Sequence, residues 1–157
     1  MRRVATARAC TAVFAVLSTP VIFAGCGAEE PLPQACLQAG RPEVLQVLRG
    51  APDRARLSDG TLLSTCIDRA EDDAELQNLG ITFVAVADAL TARSDRDARA
   101  AYELGFLIGA AQRGAGPTGG TQGELVQRLQ QAIAFQAEAS AVRSEVERGM
   151  AAGRASG

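Results

Sequence analysis

Apolar positions in this chain follow two patterns, one continuous run near the start and then a succession of helical periods. The run from Ala9 to Phe23 is uncharged, about 15 residues long and interrupted by Pro20, shorter than the roughly 20 residues a bilayer-spanning helix needs. Gly27 to Gln34 carries Pro31 and Pro33 and reads as an extended tether. From Pro42 to Arg49, Val44, Leu45 and Leu48 recur on one face. Pro42 suits the first helical position, Gly50 a left-handed cap, and Pro52 stops continuation.

The Asp59-Gly60 pair signals a tight turn, so a short β-hairpin over 56–63 competes with a helix through Leu62, Leu63, Cys66, Ile67 and Ala70. Thr65 with Asp68, and Asp72 with Glu75, have capping-box spacing. They predict a short helix over 65–71 and a longer one over 72–92. In the longer one Leu76, Leu79, Phe83, Ala87 and Leu90 keep helical register. Gly80 costs about 1 kcal/mol there, which makes a break the alternative.

Ser94 and Asp97 open the next predicted helix, over 95–112. Its Ala101, Gly105 and Gly109 form a small-residue stripe that lets helices approach closely. Glu103 and the flanking charges leave only about ten apolar residues in a row, too few to cross a membrane. After a connector at 114–120, Thr121 and Glu124 start a last helix predicted over 121–148. Leu125, Leu129, Ala132, Gln136, Ala139, Arg143, Val146 and Met150 alternate in steps of four and three, a heptad with polar interruptions.

This pattern predicts an all-α fold: a small bundle of about four or five helices. Its C-terminal hairpin is an antiparallel pair, 95–112 against 121–148. The last helix overhangs its partner, so Ala139, Val142, Val146 and Met150 are either covered by the early helix over 42–49 or left as a candidate interaction face for an envelope partner or a second copy. Residues 151–157, small and polar, read as a disordered tail.

The start of the chain carries a different message. Arg2-Arg3, the apolar run and Phe23-Ala24-Gly25-Cys26 together have the form of an export signal. The segment resembles a bacterial lipoprotein signal, with Phe23 where that class usually has leucine. The resemblance implies removal of residues 1–25 and acylation of Cys26 by fatty chains such as palmitate. Residues 26–34 would then be a lipidated tether and 35–150 a single helical domain. The protein would be exported and held at the extracytoplasmic side of a membrane by its N-terminal lipid.

Composition narrows the chemistry. The 16 basic residues are all arginine, against 18 acids, and histidine is absent. Without the first 25 residues the balance is 13 arginines against 18 acids, a net −5. That charge disfavours nucleic acid, which wants clustered positive groups. Lack of histidine removes the imidazole base and the histidine metal ligand. Lack of lysine removes the Schiff base. No motif calls for a cofactor or a metal.

Of four cysteines, Cys10 leaves with the signal and Cys26 takes lipid. Cys36 and Cys66 remain and are expected to pair outside the cytoplasm. The loop they close would stabilise the fold by roughly 3.7 kcal/mol on the chain-entropy argument.

Four further features tempt a functional reading. Gly114-Ala115-Gly116-Pro117-Thr118-Gly119 matches G-x-G-x-x-G, but a predicted helix precedes it where the dinucleotide fingerprint needs a strand. Glu71, Asp72, Asp73 and Glu75 lack the alternation and glycine of a calcium loop, and better complement a helix dipole. Asp88 reads as a solvent-facing residue. Arg93, Arg96 and Arg99 read as solvating a helix junction. The sequence therefore points to a non-enzymatic envelope interaction module. A carrier of small apolar ligands and a carboxylate-only enzyme are the alternatives.

Overall fold

The computed structural model describes residues 30–70, 72–117, 120–134 and 140–157. Among them lie seven helices: α1 (Gln34–Gln38), α2 (Arg41–Arg49), α3 (Leu63–Asp68), α4 (Asp73–Ser94), α5 (Ala98–Ala115), α6 (Gly120–Ala134) and α7 (Ser140–Ser156). The fold is all-α, as the periodicity predicts. At 56–62 a single antiparallel bridge, Arg56 with Leu62, closes a turn around Gly60 (φ 90°), and no strand forms among the described residues. The Thr61 backbone N–H donates to Asp59 Oδ1 at 2.9 Å. That bond, joined by one from the Thr61 side chain, holds the Asp59 carboxyl below the usual aspartate range.

Helix α5 is the axis of the molecule. Every residue from Ala100 to Ala111 is buried, because α3, α4, α6 and α7 all pack on it. Its start is capped by Asp97, whose carboxylate accepts from the Arg99 N–H. Ser94, the expected opening residue, instead ends α4 and bonds the Thr91 carbonyl. Helix α4 runs unbroken through Gly80, with Asp72 accepting from the Glu75 N–H at 2.7 Å. Its Leu79, Phe83, Val86, Ala87 and Leu90 are buried toward the core.

Three expectations about the C-terminal third are corrected. The segment after 120 forms two helices, and residues 135–139 between them lie outside the described residues. The partner of α5 is α7, and the two run parallel. Added Cβ atoms at Gly149 and Gly153 would strike the carbonyl oxygens of Tyr102 and Phe106, so both chains advance in the same direction. Residues 151–156 are helical and Gly157 is buried against Ala110, in place of a disordered tail. The physical reason is reciprocal: Gly105 and Gly109 on α5 face the backbone of Val146, Met150 and Arg154, while Gly149 and Gly153 face α5. Side chains at any of these four positions would hold the helices apart.

The first third is fastened from two sides. Cys36 and Cys66 are joined, with Cα atoms 5.5 Å apart, tying α1 to α3. Helix α3 in turn seats on α5, where a Cβ at Gly114 would come within 2.8 Å of Ile67 Cβ. Arg99 makes the second fastening. Its guanidinium donates to the carbonyls of Leu48, Arg49 and Ala51 at 2.9–3.3 Å, satisfying the end of α2. Gly50 there is right-handed (φ −82°), so the expected left-handed cap is replaced by a side chain reaching 50 residues back in sequence from α5.

Candidate functional groove

Helix α4 buries one apolar face in the core and carries a second apolar line beside it, whose Leu76 and Val84 pack against the edge of the core. On the second, Leu76, Gly80, Val84 and Ala85 are half-buried and Ile81 is 64% exposed. Their spacing of three to four places them along one line of the helix. Helix α6 lies beside this line and contributes Leu125, whose Cδ1 would stand 3.6 Å from a Cβ on Gly80. Gln122 on α6 also donates to the Ala70 carbonyl at 3.2 Å, so α4 and α6 start side by side. Between them opens a groove of about 750 Å³ with an aliphatic floor.

The rim is charged. Asp73 stands at one end of the α4 line and Asp88 at the other, with Thr121, Glu124 and Arg128 along α6. Arg128 is bonded to Glu124 one turn away, which neutralises that pair. The lining therefore keeps two carboxylates, Asp73 and Asp88, that form no ion pair among the described residues. They are fifteen positions apart on one helix, about 22 Å at 1.5 Å per residue. Paired glycosidase carboxylates stand within about 9.5 Å, so these two do not form such a dyad.

The other polar hollows are already committed. Near Pro52 and Ala98, Arg99 and Arg148 lie over the Tyr102 ring at 5.1 and 5.7 Å. Arg148 pairs with Glu145 at 2.9 Å, and Arg99 Nε pairs with the buried Glu103 at 3.0 Å. Neither guanidinium is left to hold an anion. A shallower hollow beside α3 contains Asp68 and Arg113, and Arg113 donates to the Ala155 carbonyl. Among the described residues no group of histidine, cysteine, aspartate or glutamate could hold a metal. No described helix is long and apolar enough to cross a membrane.

The residues singled out from sequence fall as follows. Val146 is buried, Met150 packs on the core, and Val142 is half-buried. The expected outward stripe is thus mostly the inner face of α7; its fourth member, Ala139, lies outside the described residues, as do Cys26 and Glu71. Asp72 caps α4 as an acid at a helix start should. Asp88 is exposed. Gly114 belongs to the last turn of α5 and packs on α3, so the glycine-rich run begins inside a helix.

Ile81, Val84 and Ala85 are the groove residues that the core periodicity of α4 leaves out. Their signal is present in the sequence: Ile81, Val84 and Ala85 are apolar residues off the core line of α4. The chain matches no known protein family, no curated protein and no solved structure.

Proposed function

We propose that this chain is a non-catalytic interaction module, tethered to a cell-envelope membrane through lipid on Cys26, with the α4–α6 groove as its docking surface. The observation that carries the docking role is the exposed aliphatic line through Ile81 on a helix whose other face already fills the core. A helix needs one apolar face to belong to a bundle; a second, open one marks a contact site. The anchoring role rests on Phe23-Ala24-Gly25-Cys26 and the basic, apolar segment before it. With Cys26 acylated, the groove would work close to the membrane. From Cys26 to Glu30, which Arg69 holds beside α3, the chain reaches at most about 14 Å.

Two measurements test the proposal. In cell fractionation, Cys26→Ala should lose membrane attachment; a variant processed and retained like the parent defeats the anchor. A photo-crosslinking residue at Ile81 of the tethered protein should give defined adducts that are absent when it is placed at the exposed Glu147 of α7. Equal labelling at both positions defeats the groove as the docking surface. A carrier of small apolar molecules shares the same groove, whose volume lies in the roughly 300–1,000 Å³ range of ligand pockets. Its long, open form favours an elongated partner.

A further inference from the structure

We infer that the α4–α6 groove receives a cationic amphipathic helix of a partner protein, laid along α4 with its aliphatic stripe on the floor and its basic groups toward Asp73 and Asp88. This rests on the reading of the groove as a docking surface and adds the chemistry of the partner. Three observations select it. The lining of α4 recurs at three- and four-residue steps over four turns, a trough about 22 Å long that a helix of about 15 residues covers. Such a guest presents apolar side chains at i, i+3, i+4 and i+7, a stripe that can lie along the α4 line of Leu76, Gly80 and Val84, with Leu125 of α6 beside it.

Gly80 leaves a dip mid-trough, where among the described residues the only neighbour within reach of a Cβ is Leu125. A large aliphatic side chain of the guest fits there. The third observation is charge. Once Arg128 is set against Glu124, the lining retains Asp73 and Asp88, one near each end. Two carboxylates about four turns apart match basic residues near the two ends of a guest helix and repel an acidic one. This distribution steers association and selects against anionic guests. It also disfavours an anionic lipid surface as the occupant.

The test uses the purified full chain and a synthetic helix of leucine and lysine about 18 residues long, with a glutamate-for-lysine counterpart of the same apolar stripe. Binding is read by fluorescence anisotropy. The basic peptide should bind at least tenfold more tightly than the acidic one, and added salt should narrow the difference because the rim is exposed. Asp73→Lys with Asp88→Lys should invert the preference. Ile81→Glu should weaken the basic peptide by about tenfold or more. Neither rim change touches the core, so circular dichroism should report an unchanged helix content.

Equal affinity for the two peptides, binding of neither, or binding that ignores both sets of substitutions overturns the inference. A dimer in sedimentation that Ile81→Glu abolishes would give the groove to a second copy. A fluorescent fatty acid that binds where the basic peptide does not would give it to a small apolar ligand. Either result also overturns the helix. If the peptides fail while Ile81 crosslinks a partner in cells, the docking reading stands and only the helix chemistry falls.

Discussion

Two helix pairs in this molecule each involve α-helical glycine, and they end in opposite states. In the α5–α7 pair the glycines are reciprocal: Gly105 and Gly109 accept the backbone of α7, and Gly149 and Gly153 accept the backbone of α5. The two helices lie in direct backbone contact, close enough for Cα–H groups to approach facing carbonyls, a weak gain repeated at each step. In the α4–α6 pair Gly80 meets, among the described residues, only the end of a leucine side chain, at 3.6 Å from where its Cβ would be. Nothing on α6 answers it with a missing side chain. The first pair closes into a seam, and the second stays open as a groove. Small residues bring helices together only when both partners give way.

The largest expected effect comes from breaking the seam. In Gly149→Leu the first added carbon would collide with the Tyr102 carbonyl, which is backbone and cannot rotate away. The helices must separate and uncover Phe106, Leu107 and Val146. Overpacking typically costs 1–3 kcal/mol, and a backbone clash in the central pair should cost about 3 kcal/mol or more. Urea unfolding of the variant and parent checks this. A variant with the parent midpoint would show that α7 does not seat on α5 in this register.

Next in size is Arg99→Met, which spares both helix pairs and attacks the link from α5 to α2. Loss of the guanidinium leaves Glu103 buried without its partner and three α2-end carbonyls without their donor. A stability loss of about 2 kcal/mol is expected. Combining it with Glu103→Gln separates the two causes. A double variant as unstable as the single would place the loss at the carbonyls of α2. Peptide binding in the groove should be unchanged in both, since neither residue borders α4 or α6 there.

The contrast between seam and groove also marks how much of the molecule was legible beforehand. The core line of α4 and the burial of α5 follow from periodicity, because a bundle must bury those residues whatever their partners. The cap at Asp72 is local chemistry and equally readable, whereas the start of α5, expected at Ser94, lies three residues later with Asp97 as its cap. The partner of α5 was not readable. Residues 151–157, small and polar, read as a disordered tail, although Gly149, Gly153 and Gly157 repeat at four-residue steps. Their four-residue spacing, repeating that of Gly105 and Gly109, was the available signal. The expected heptad divides between α6 and α7, and its last members, Val146 and Met150, lie on the side of α7 that meets Gly105 and Gly109. Helix direction was hidden as well, since periodicity is the same for parallel and antiparallel pairs. The second apolar line of α4 is visible in the sequence, but that it stays open is not, because that depends on which neighbours cover it.

A smaller effect tests whether the groove-forming helix depends on its own start. Asp72→Ala removes the carboxylate that accepts the Glu75 N–H at the first turn of α4. Loss of such a cap costs about 1 kcal/mol. Hydrogen exchange should quicken at the N–H groups of 73–77 and remain slow at 83–90, where α4 is held by the core. Uniformly faster exchange along α4 would mean that the groove wall is cooperative with the seam, and that the two regions are not separable.

The smallest effect is the sharpest, because its sign differs from the first. In Gly80→Ala the new methyl meets Leu125 Cδ1 at 3.6 Å, an ordinary van der Waals distance, and no backbone. Alanine is favoured over glycine inside a helix by about 0.8–1 kcal/mol, through the entropy the unfolded chain no longer has to lose. Gly80→Ala should therefore raise stability by up to about 1 kcal/mol, whereas Gly149→Ala, with the same change of one methyl, should lower it. Equilibrium unfolding of the two variants side by side reads both signs. A stabilised Gly149→Ala would remove the backbone seam. A destabilised Gly80→Ala would mean that α6 lies closer to α4 than a side-chain contact allows, and that the groove is shut where Gly80 faces it.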